Sequence, residues 1–458
     1  MFSANPATSH TAETSAGEHE VHRQPLPVFR PYQYMGTKLR ALDSIVRVAA
    51  SLAPPGARVV DLFTGSTVVA QAFAAYGYRV DAYDALQFPA TTASAVLGVE
   101  RTNDPSSEFL DQVVAFATRC LHASSMRLWV DREDDALSRR DGATLLSIAA
   151  EVPQVWRTSG ASGDVSRLLT NTARAVGQPA SASTPIATTH YAGTYFGVRQ
   201  AVLLDGLRLA IDELGVDGWL RSAALTSLTS AMSAAAFTPG KHFAQPHKIR
   251  DGKDLEFHRE RALADRSIDV IRVFVMTLRT LVSSPHRATG HHRAEQVTFE
   301  EHCKRSPRRI ADLIYADPPY TAQQYSRFYH VPETMILGRV PRLQIHRDSV
   351  TAGIYSEDKF KSRFCSKRSA IAAFEDLLDL ARAHRTPLMI SYAASASGRS
   401  GNDRMVSMEQ LLTRMRERGF KSVSVEPLDH NYRQLNNSSL AVSGRDDQEF
   451  ILYGTPGC

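Results

Sequence analysis

The segment Arg58-Val59-Val60-Asp61-Leu62-Phe63 is a short apolar run carrying an acid, and Thr64-Gly65-Ser66 interrupts it. Helix-forming residues then continue to Tyr76, Gly77 stops them, and Arg79-Val80-Asp81-Ala82-Tyr83-Asp84 starts a second run. Strand, glycine turn, helix and strand in that order make a βαβ unit, because parallel neighbours need a crossover that a hairpin cannot supply. A chain containing such a unit is committed to a sheet with helices packed on its faces.

The same alternation returns near the other end. Asp312-Leu313-Ile314-Tyr315-Ala316 reads as a buried strand, Ala370 to Ala383 as a helix and Pro387 to Tyr392 as a strand. Met408 to Arg418 follows as a helix stopped by Gly419, with further strands at Ser422–Val425 and Glu449–Tyr453. Leu39, Leu42, Ile45, Val46 and Ala49 recur at helical spacing ahead of the first unit, until Pro54-Pro55-Gly56. The spacing therefore predicts one α/β layer system divided in sequence. Its expected halves span 26–100 and 301–458, with a polar arm over 1–25 and a mostly helical insertion over 101–300. Val202–Leu214 and Ala223–Ala236 are helices of that insertion; the sequence does not say on which body they pack.

Composition narrows the class without choosing a function. With 458 residues, 43% of them hydrophobic, the chain can bury one large core or several ordinary ones. No apolar stretch reaches the roughly 18–20 residues of a membrane helix, and the first twenty or so residues lack a signal-peptide run. The expectation is a cytoplasmic protein with no membrane partner. Cys120, Cys303, Cys365 and Cys458 form no CxxC pair, which argues against a disulfide framework or zinc knuckle. His286, His291, His292, His302 and Cys303 are irregularly spaced among charges, so no metal site is expected. A net charge of +5 is compatible with a polyanionic partner and does not require one.

Two constellations carry chemistry. In the first, Asp61 to Thr67 turns from strand into helix and Asp84 ends the next strand; Gly65 permits close backbone approach, the helix start offers N–H groups, and the second acid can hold ribose hydroxyls. The nicotinamide GxGxxG and the phosphate-binding GxxxxGK[ST] patterns are both absent. In the second, Asp317-Pro318-Pro319-Tyr320 follows directly on a strand, at the carboxyl edge where open α/β sheets bind ligands. Two prolines donate no hydrogen bonds, so their carbonyls and the Asp317 carboxylate make an accepting cradle suited to an exocyclic amino group. Tyr320 offers a face on which a flipped base can stack.

Taken together these motifs resemble the D12 class of DNA adenine-N6 methyltransferases. Tyr34-Met35-Gly36-Thr37-Lys38 is similar to the family's methionine-contacting motif, Asp61 to Thr67 to its FxGxG motif, Asp84 to its ribose acid and Asp317 to Tyr320 to its DPPY motif. Gln323 to Ser326 and Tyr329 to Thr334 resemble the stretch after DPPY, and Ile390-Ser391-Tyr392 a later strand. The resemblance implies a Rossmann-like methyltransferase fold with a mostly helical inserted target-recognition domain. It implies S-adenosylmethionine held by Tyr34, Met35, Gly36, Lys38, Asp61, Phe63, Gly65, Ser66 and Asp84. It also implies duplex DNA as substrate, with a flipped adenine gripped by Asp317, Pro318, Pro319 and Tyr320, and a cognate restriction endonuclease as partner. Thr67 stands where the family has a second glycine; as a helix-start residue it is expected to cap.

Three alternatives stay open: an N4-cytosine methyltransferase, an RNA-base methyltransferase, and a catalytically inactive DNA-binding specificity subunit. The absence of a Pro-Cys pair argues against cytosine-C5 chemistry, which needs a thiol nucleophile. Lys304, Arg305, Arg308 and Arg309, Lys241, His242, His247, Lys248 and Arg250, and Lys359, Lys361, Arg363, Lys367 and Arg368 are candidate phosphate contacts, a solvated face being the alternative for each run. The loop Thr238 to Phe243 is the candidate for base or phosphate contact, where Phe243 can wedge or stack; a plain surface turn is the equal alternative.

Overall fold

The computed structural model describes residues 28–99, 101, 107–248, 254–284, 291–305, 311–393, 404–432 and 447–457. The arm expected over 1–25 lies outside the described residues, as do Arg250, His286, Arg308, Arg309 and Cys458. Seven strands form the central sheet: β1 (Arg58–Asp61), β2 (Arg79–Asp84), β3 (Arg293–Gln296), β4 (Leu313–Ala316), β5 (Leu388–Ala393), β6 (Phe420–Tyr432) and β7 (Asp447–Pro456). Their spatial order is β3-β2-β1-β4-β5-β7-β6. β3, β2, β1, β4 and β5 run parallel, and β7 pairs antiparallel with both β5 and β6. The fold is thus mixed α/β with a mostly parallel central sheet.

Strand side chains alternate between two cores, as the pleat requires. Val59, Val80, Leu313 and Tyr315 point into the larger one, while Val60, Ile314, Leu388 and Ile390 point into the smaller. The first face is covered by α1 (Leu42–Leu52), α2 (Val68–Tyr76) and α3 (Gln87–Leu97). The central stretch then supplies α4 (Ser107–His122), α5 (Arg127–Ser138), α6 (Gly142–Glu151), α7 (Gly163–Arg174), α8 (Val198–Glu213), α9 (Gly218–Ala235), α10 (Leu255–Arg266) and α11 (Val270–Ser283). α12 (Phe299–Lys304), α13 (Tyr325–Phe328) and α14 (His330–Leu337) follow, and α15 (Ala370–Ala383) and α16 (Met408–Glu417) cover the other face.

Two helices whose docking the sequence leaves open, α8 and α9, are buried along most of their length, α8 with Gln200, Asp205 and Arg208 included. α9 packs on α3, where the Trp219 indole N–H donates to the Ala95 carbonyl at 2.8 Å. Their side chains belong to the same continuous core as β1, β2 and β4. β3 is not anticipated by the sequence analysis. Arg-Ala-Glu-Gln carries no branched or aromatic residue because it is an edge strand, exposed and charged as edges are. The sheet therefore resumes at Arg293, ahead of the expected boundary at 301.

The parallel order reverses at β1, which has β2 on one side and β4 on the other. Such a switch point opens a crevice at the carboxyl ends of the strands. The register pairs Asp61 with Ala82 and with Tyr315, so Asp61, Asp84 and Asp317 all emerge at that one edge. Phe73 of α2 locks this arrangement from beneath: fully buried, it meets Tyr315 of β4 edge-on at 5.6 Å and Tyr78 at 5.8 Å. Phe73→Ala should remove about 3–5 kcal/mol of stability. Urea denaturation checks this; an unshifted midpoint would show that the α2–sheet contact is not a main support of the fold.

Candidate active site

The loop from β1 to α2 is held from both sides. The Thr64 N–H donates to the Tyr83 carbonyl at 2.9 Å, and the Gly65 N–H donates to the Asp84 carboxylate at 3.0 Å. The other Asp84 oxygen accepts from Leu86 N–H at 2.9 Å. Gly65 needs to be glycine for two reasons. Its φ of +44° is left-handed, and an added Cβ would lie 2.9 Å from the Tyr34 hydroxyl. The Tyr34 ring, stacked on Tyr329 at 4.6 Å and within 3° of parallel, thus roofs the turn. Met35 N–H donates to the Tyr329 hydroxyl at 2.7 Å, tying the segment after Asp317 to the N-terminal motif.

Thr67 departs from its expected role. It stands at the N-cap of α2, yet its φ is +67° and its side chain caps nothing. Instead its hydroxyl accepts from the Gln71 side chain at 3.1 Å. The amide of Gln71 also brackets Phe29, accepting from its N–H at 2.8 Å and donating to its carbonyl at 2.9 Å. The N–H groups expected to be offered at the helix start are partly consumed: that of Gly65 by Asp84, that of Thr67 by the Thr64 carbonyl.

One cleft gathers most of the predicted residues. Tyr34, Met35, Gly36, Lys38, Asp61, Phe63, Gly65, Ser66, Asp84, Asp317 and Pro319 line it. Pro318 and Tyr320 lie behind the wall. The Tyr320 ring is buried, with the Arg404 guanidinium 4.8 Å from its centroid and Tyr392 at 5.5 Å. Stacking on a base therefore requires Arg404 to leave that face.

Lys38 has partners the sequence does not announce. Its ammonium, with only 4% of the side chain exposed, lies 2.9 Å from Asp317 and 3.4 Å from Glu449 of β7. Burial pulls the Lys38 pKa down, but Asp317 and Glu449 more than offset it, so the ammonium stays protonated. Burial pushes Asp317 up to about 6, with Lys38 opposing that rise. Asp61 rises to about 7 and Asp84 to about 6, again through burial first, each partly restrained by backbone N–H donors.

Several wall residues escape sequence reasoning. Phe299 and Glu300 begin α12, and Phe364 adds to the rim beside Gln324 and Ser326 of the stretch after Tyr320. The signal for the first two is Thr298-Phe-Glu-Glu301, a capping box that the structure forms in full. Glu449 had no comparable signal, being set by strand register alone.

The expected nucleic-acid loop at Thr238 to Phe243 is built differently. Lys241 turns inward to Asp265 at 2.8 Å and to the carbonyls of Ala234 and Ala236, leaving no ammonium for a phosphate. Phe243 is buried against Tyr195 and Phe196, so it cannot wedge into a duplex without breaking the core. Arg305 pairs with Glu295 and Arg363 with Asp376. His292 is buried, its ring accepting the Val80 N–H at 3.1 Å. No helix among the described residues is long and apolar enough to cross a membrane.

No family model matches the chain. It is similar to modification methylase LlaI of Lactococcus lactis subsp. lactis, at 28% identity over 265 residues, covering 57% of this chain and 36% of that protein. It is 24% identical over 201 residues to type II methyltransferase M.FokI of Planomicrobium okeanokoites, covering 44% and 27% of the two. A third similarity, 24% over 156 residues, is to modification methylase StsI of Streptococcus sanguinis, covering 34% and 21%. The chain thus spans about a third or less of the length of the curated relatives it matches.

The geometry makes Lys38 the cation shared by the buried Glu449 and the partly exposed Asp317. Lys38→Met should raise the Asp317 pKa above about 6 and cost about 3–5 kcal/mol, because it leaves two carboxylates facing each other unpaired. Carboxyl NMR titration and urea denaturation read the two effects. A lowered or unchanged Asp317 titration would contradict the pairing.

Proposed function

We propose that this protein is a DNA methyltransferase of a restriction-modification system, transferring a methyl group from S-adenosylmethionine to the N6 amino group of adenine. The observation that carries this reading is the meeting of two motifs, far apart in sequence, at one sheet edge. Asp61, Gly65 and Asp84 form one wall of a cleft and Asp317 with Pro319 the other. The three modification methylases support the reaction class, and the amino-group chemistry follows from the Asp-Pro-Pro-Tyr cradle.

The cleft suits a cationic nucleoside. Asp61, Asp84, Glu300 and Asp317 line it against Lys38, and Gly65 lets the turn approach closely. Asp84 retains lone pairs after binding Gly65 and Leu86, and these can accept ribose hydroxyls. Met35 and Gly36 are assigned to the methionine part and Leu86, Phe299 and Glu300 to the base; Phe63, expected beside the methionine part, packs on Phe299 at 6.0 Å and Phe364 at 5.3 Å. S-adenosylmethionine supplies the methyl group on a cationic sulfur. Asp317 and the Pro318 carbonyl accept the two N6–H bonds, drawing the nitrogen lone pair out of ring conjugation and aiming it at that methyl. Transfer would break the sulfur–methyl bond, leaving a neutral thioether, and make N6 cationic; the Asp317 carboxylate would stabilise that charge and take the surplus proton, which then passes to solvent. Positioning supplies most of the remaining acceleration.

Lys361, Lys367 and Arg368 remain assigned to the phosphates of a duplex, whereas Lys359 donates to the Gln344 side chain at 2.5 Å and lies over the Tyr355 ring; the 101–300 stretch apart from the core helices α8 and α9 is assigned to target recognition. The inactive specificity subunit stays as the second reading because of Thr67, whose β-branched side chain occupies a left-handed turn position that favours glycine.

Mass spectrometry of nucleosides from DNA and RNA of expressing cells tests the reaction. N6-methyladenine should accumulate in DNA, and Asp317→Ala should reduce it at least about a thousandfold while S-adenosylmethionine affinity changes less than about threefold. Methylated cytosine or methylated RNA would replace the adenine assignment, and full activity of the Asp317 variant would remove the mechanism. The pH profile offers an independent check. Transfer needs ionised Asp317, whose pKa burial raises to about 6, so the single-turnover rate should fall as pH drops through that value. A rate independent of pH from about 5 to 8 would contradict the role of the carboxylate.

A further inference from the structure

Glu449 lies on β7, opposite Ala393 of β5, and is 1% exposed. Ile451, two residues along the same face of the strand, belongs to the core. A carboxylate at such a position costs several kcal/mol unless something pairs with it. Here the partner is Lys38 at 3.4 Å, and the same Glu449 oxygen accepts from the Tyr320 hydroxyl at 3.4 Å. Both partners belong to motifs assigned to the reaction, and the Lys38 ammonium already sits 2.9 Å from Asp317.

We propose that Glu449 is a positioning residue of the methyl-transfer site, sharing the Lys38 ammonium with Asp317 and so freeing the Asp317 carboxylate to receive the substrate amino group. The inference rests on the reading of the site given above. A lysine paired with Asp317 alone would sit fully on its Oδ2 and draw charge from the acceptor that the amine needs. Withdrawing it would strand a buried cation, at a cost of several kcal/mol. A second carboxylate on the far side removes that cost, because Lys38 can lean toward Glu449 without leaving an ion pair. The Tyr320 hydroxyl on the same oxygen couples this movement to the Asp317–Tyr320 segment. The charged and titratable groups that face the pair are Asp317, Tyr315 and Tyr320, with Asp61 on β1 and Arg404 over the Tyr320 ring. Among these, Glu449 raises the Asp317 pKa and Lys38 lowers it.

Glu449→Gln in the full chain tests the inference. Carboxyl NMR of the cofactor-free protein should show Asp317 titrating at lower pH than in wild type, because a neighbouring negative charge is gone. Single-turnover transfer at saturating S-adenosylmethionine and DNA should fall at least about tenfold at neutral pH, with its acid limb displaced the same way. Cofactor affinity should change less than about twofold. The pair Lys38→Met and Glu449→Gln should lose no more activity than Lys38→Met alone, since Glu449 acts through the lysine. An unmoved Asp317 titration with wild-type rate, or fully additive losses, overturns the proposal. If Glu449→Gln fails to fold, Glu449→Asp keeps the charge on a shorter arm; reduced turnover with unchanged cofactor affinity is expected, and full turnover overturns the proposal. Failure of the underlying reading is separable, for it appears as wild-type protein that methylates no base.

Discussion

The parallel pairing of β1 with β4 is the constraint on which the rest of the molecule depends. Val59, Val60 and Asp61 are in register with Leu313, Ile314 and Tyr315, so two segments separated by the whole helical insertion share one ladder. Both strands are buried on both faces, and the alternation of their side chains sends Val59 and Tyr315 into one core and Val60 and Ile314 into the other. A slip of one residue would exchange those faces along the pair. The register therefore fixes more than packing: it sets Asp61 level with Tyr315, so that Asp317, two residues further on, emerges at the same edge. The insertion helices reinforce this, since α8 and α9 complete the core that holds β1 and β4 together.

That edge is electrostatically expensive. Asp61, Asp84 and Asp317 are each held above the usual carboxylate range, chiefly by burial. A carboxyl whose folded pKa exceeds its unfolded value binds protons better when folded. The stability it contributes is present at acidic pH and is lost as pH rises through the folded pKa, here about 6 to 7. Transfer on the proposed reading needs Asp317 ionised, so the site works where these groups no longer support the fold. Lys38 offsets part of that cost. A cationic cofactor would offset more, and the neutral sulfur left after transfer would not, which favours release of the spent cofactor over the loaded one.

Elements set by local periodicity were legible in the sequence, while those set by distant register were not. The βαβ unit appears where Gly65 and Gly77 punctuate it, and α15 spans Ala370–Ala383 as its spacing predicts. The site motifs were legible as separate pieces, and the cleft joins most of them. β3 was missed because an exposed edge strand has no apolar alternation to read. Phe243 and Lys241 misled for a related reason: a Pro-Gly turn with a lysine and a phenylalanine spells a surface loop. Only tertiary contacts turn that phenylalanine against Tyr195 and that lysine onto Asp265. The bond from Lys38 to Glu449 spans nearly the whole chain, and no local pattern could signal it.

Thr67 shows how one local rule can be broken and held. A β-branched residue with φ near +67° is strained by about 1–3 kcal/mol, and it persists only where its surroundings over-determine it. Here the surroundings are specific. The hydroxyl is anchored to Gln71, whose amide is anchored in turn to both backbone groups of Phe29. Gln71 and Thr67 are both fully buried, so these hydrogen bonds cannot be exchanged for water without opening the core. A glycine would relieve the strain and lose the hydroxyl that steadies the clamp. The threonine thus exchanges ease of turning for a hold on the segment that leads from Phe29 to Tyr32 and Tyr34. Tyr34 in turn covers Gly65, the residue whose close approach the cleft requires. The departure at Thr67 and the roof over the cleft are therefore two ends of one chain of contacts, which makes the substitution compatible with a working turn.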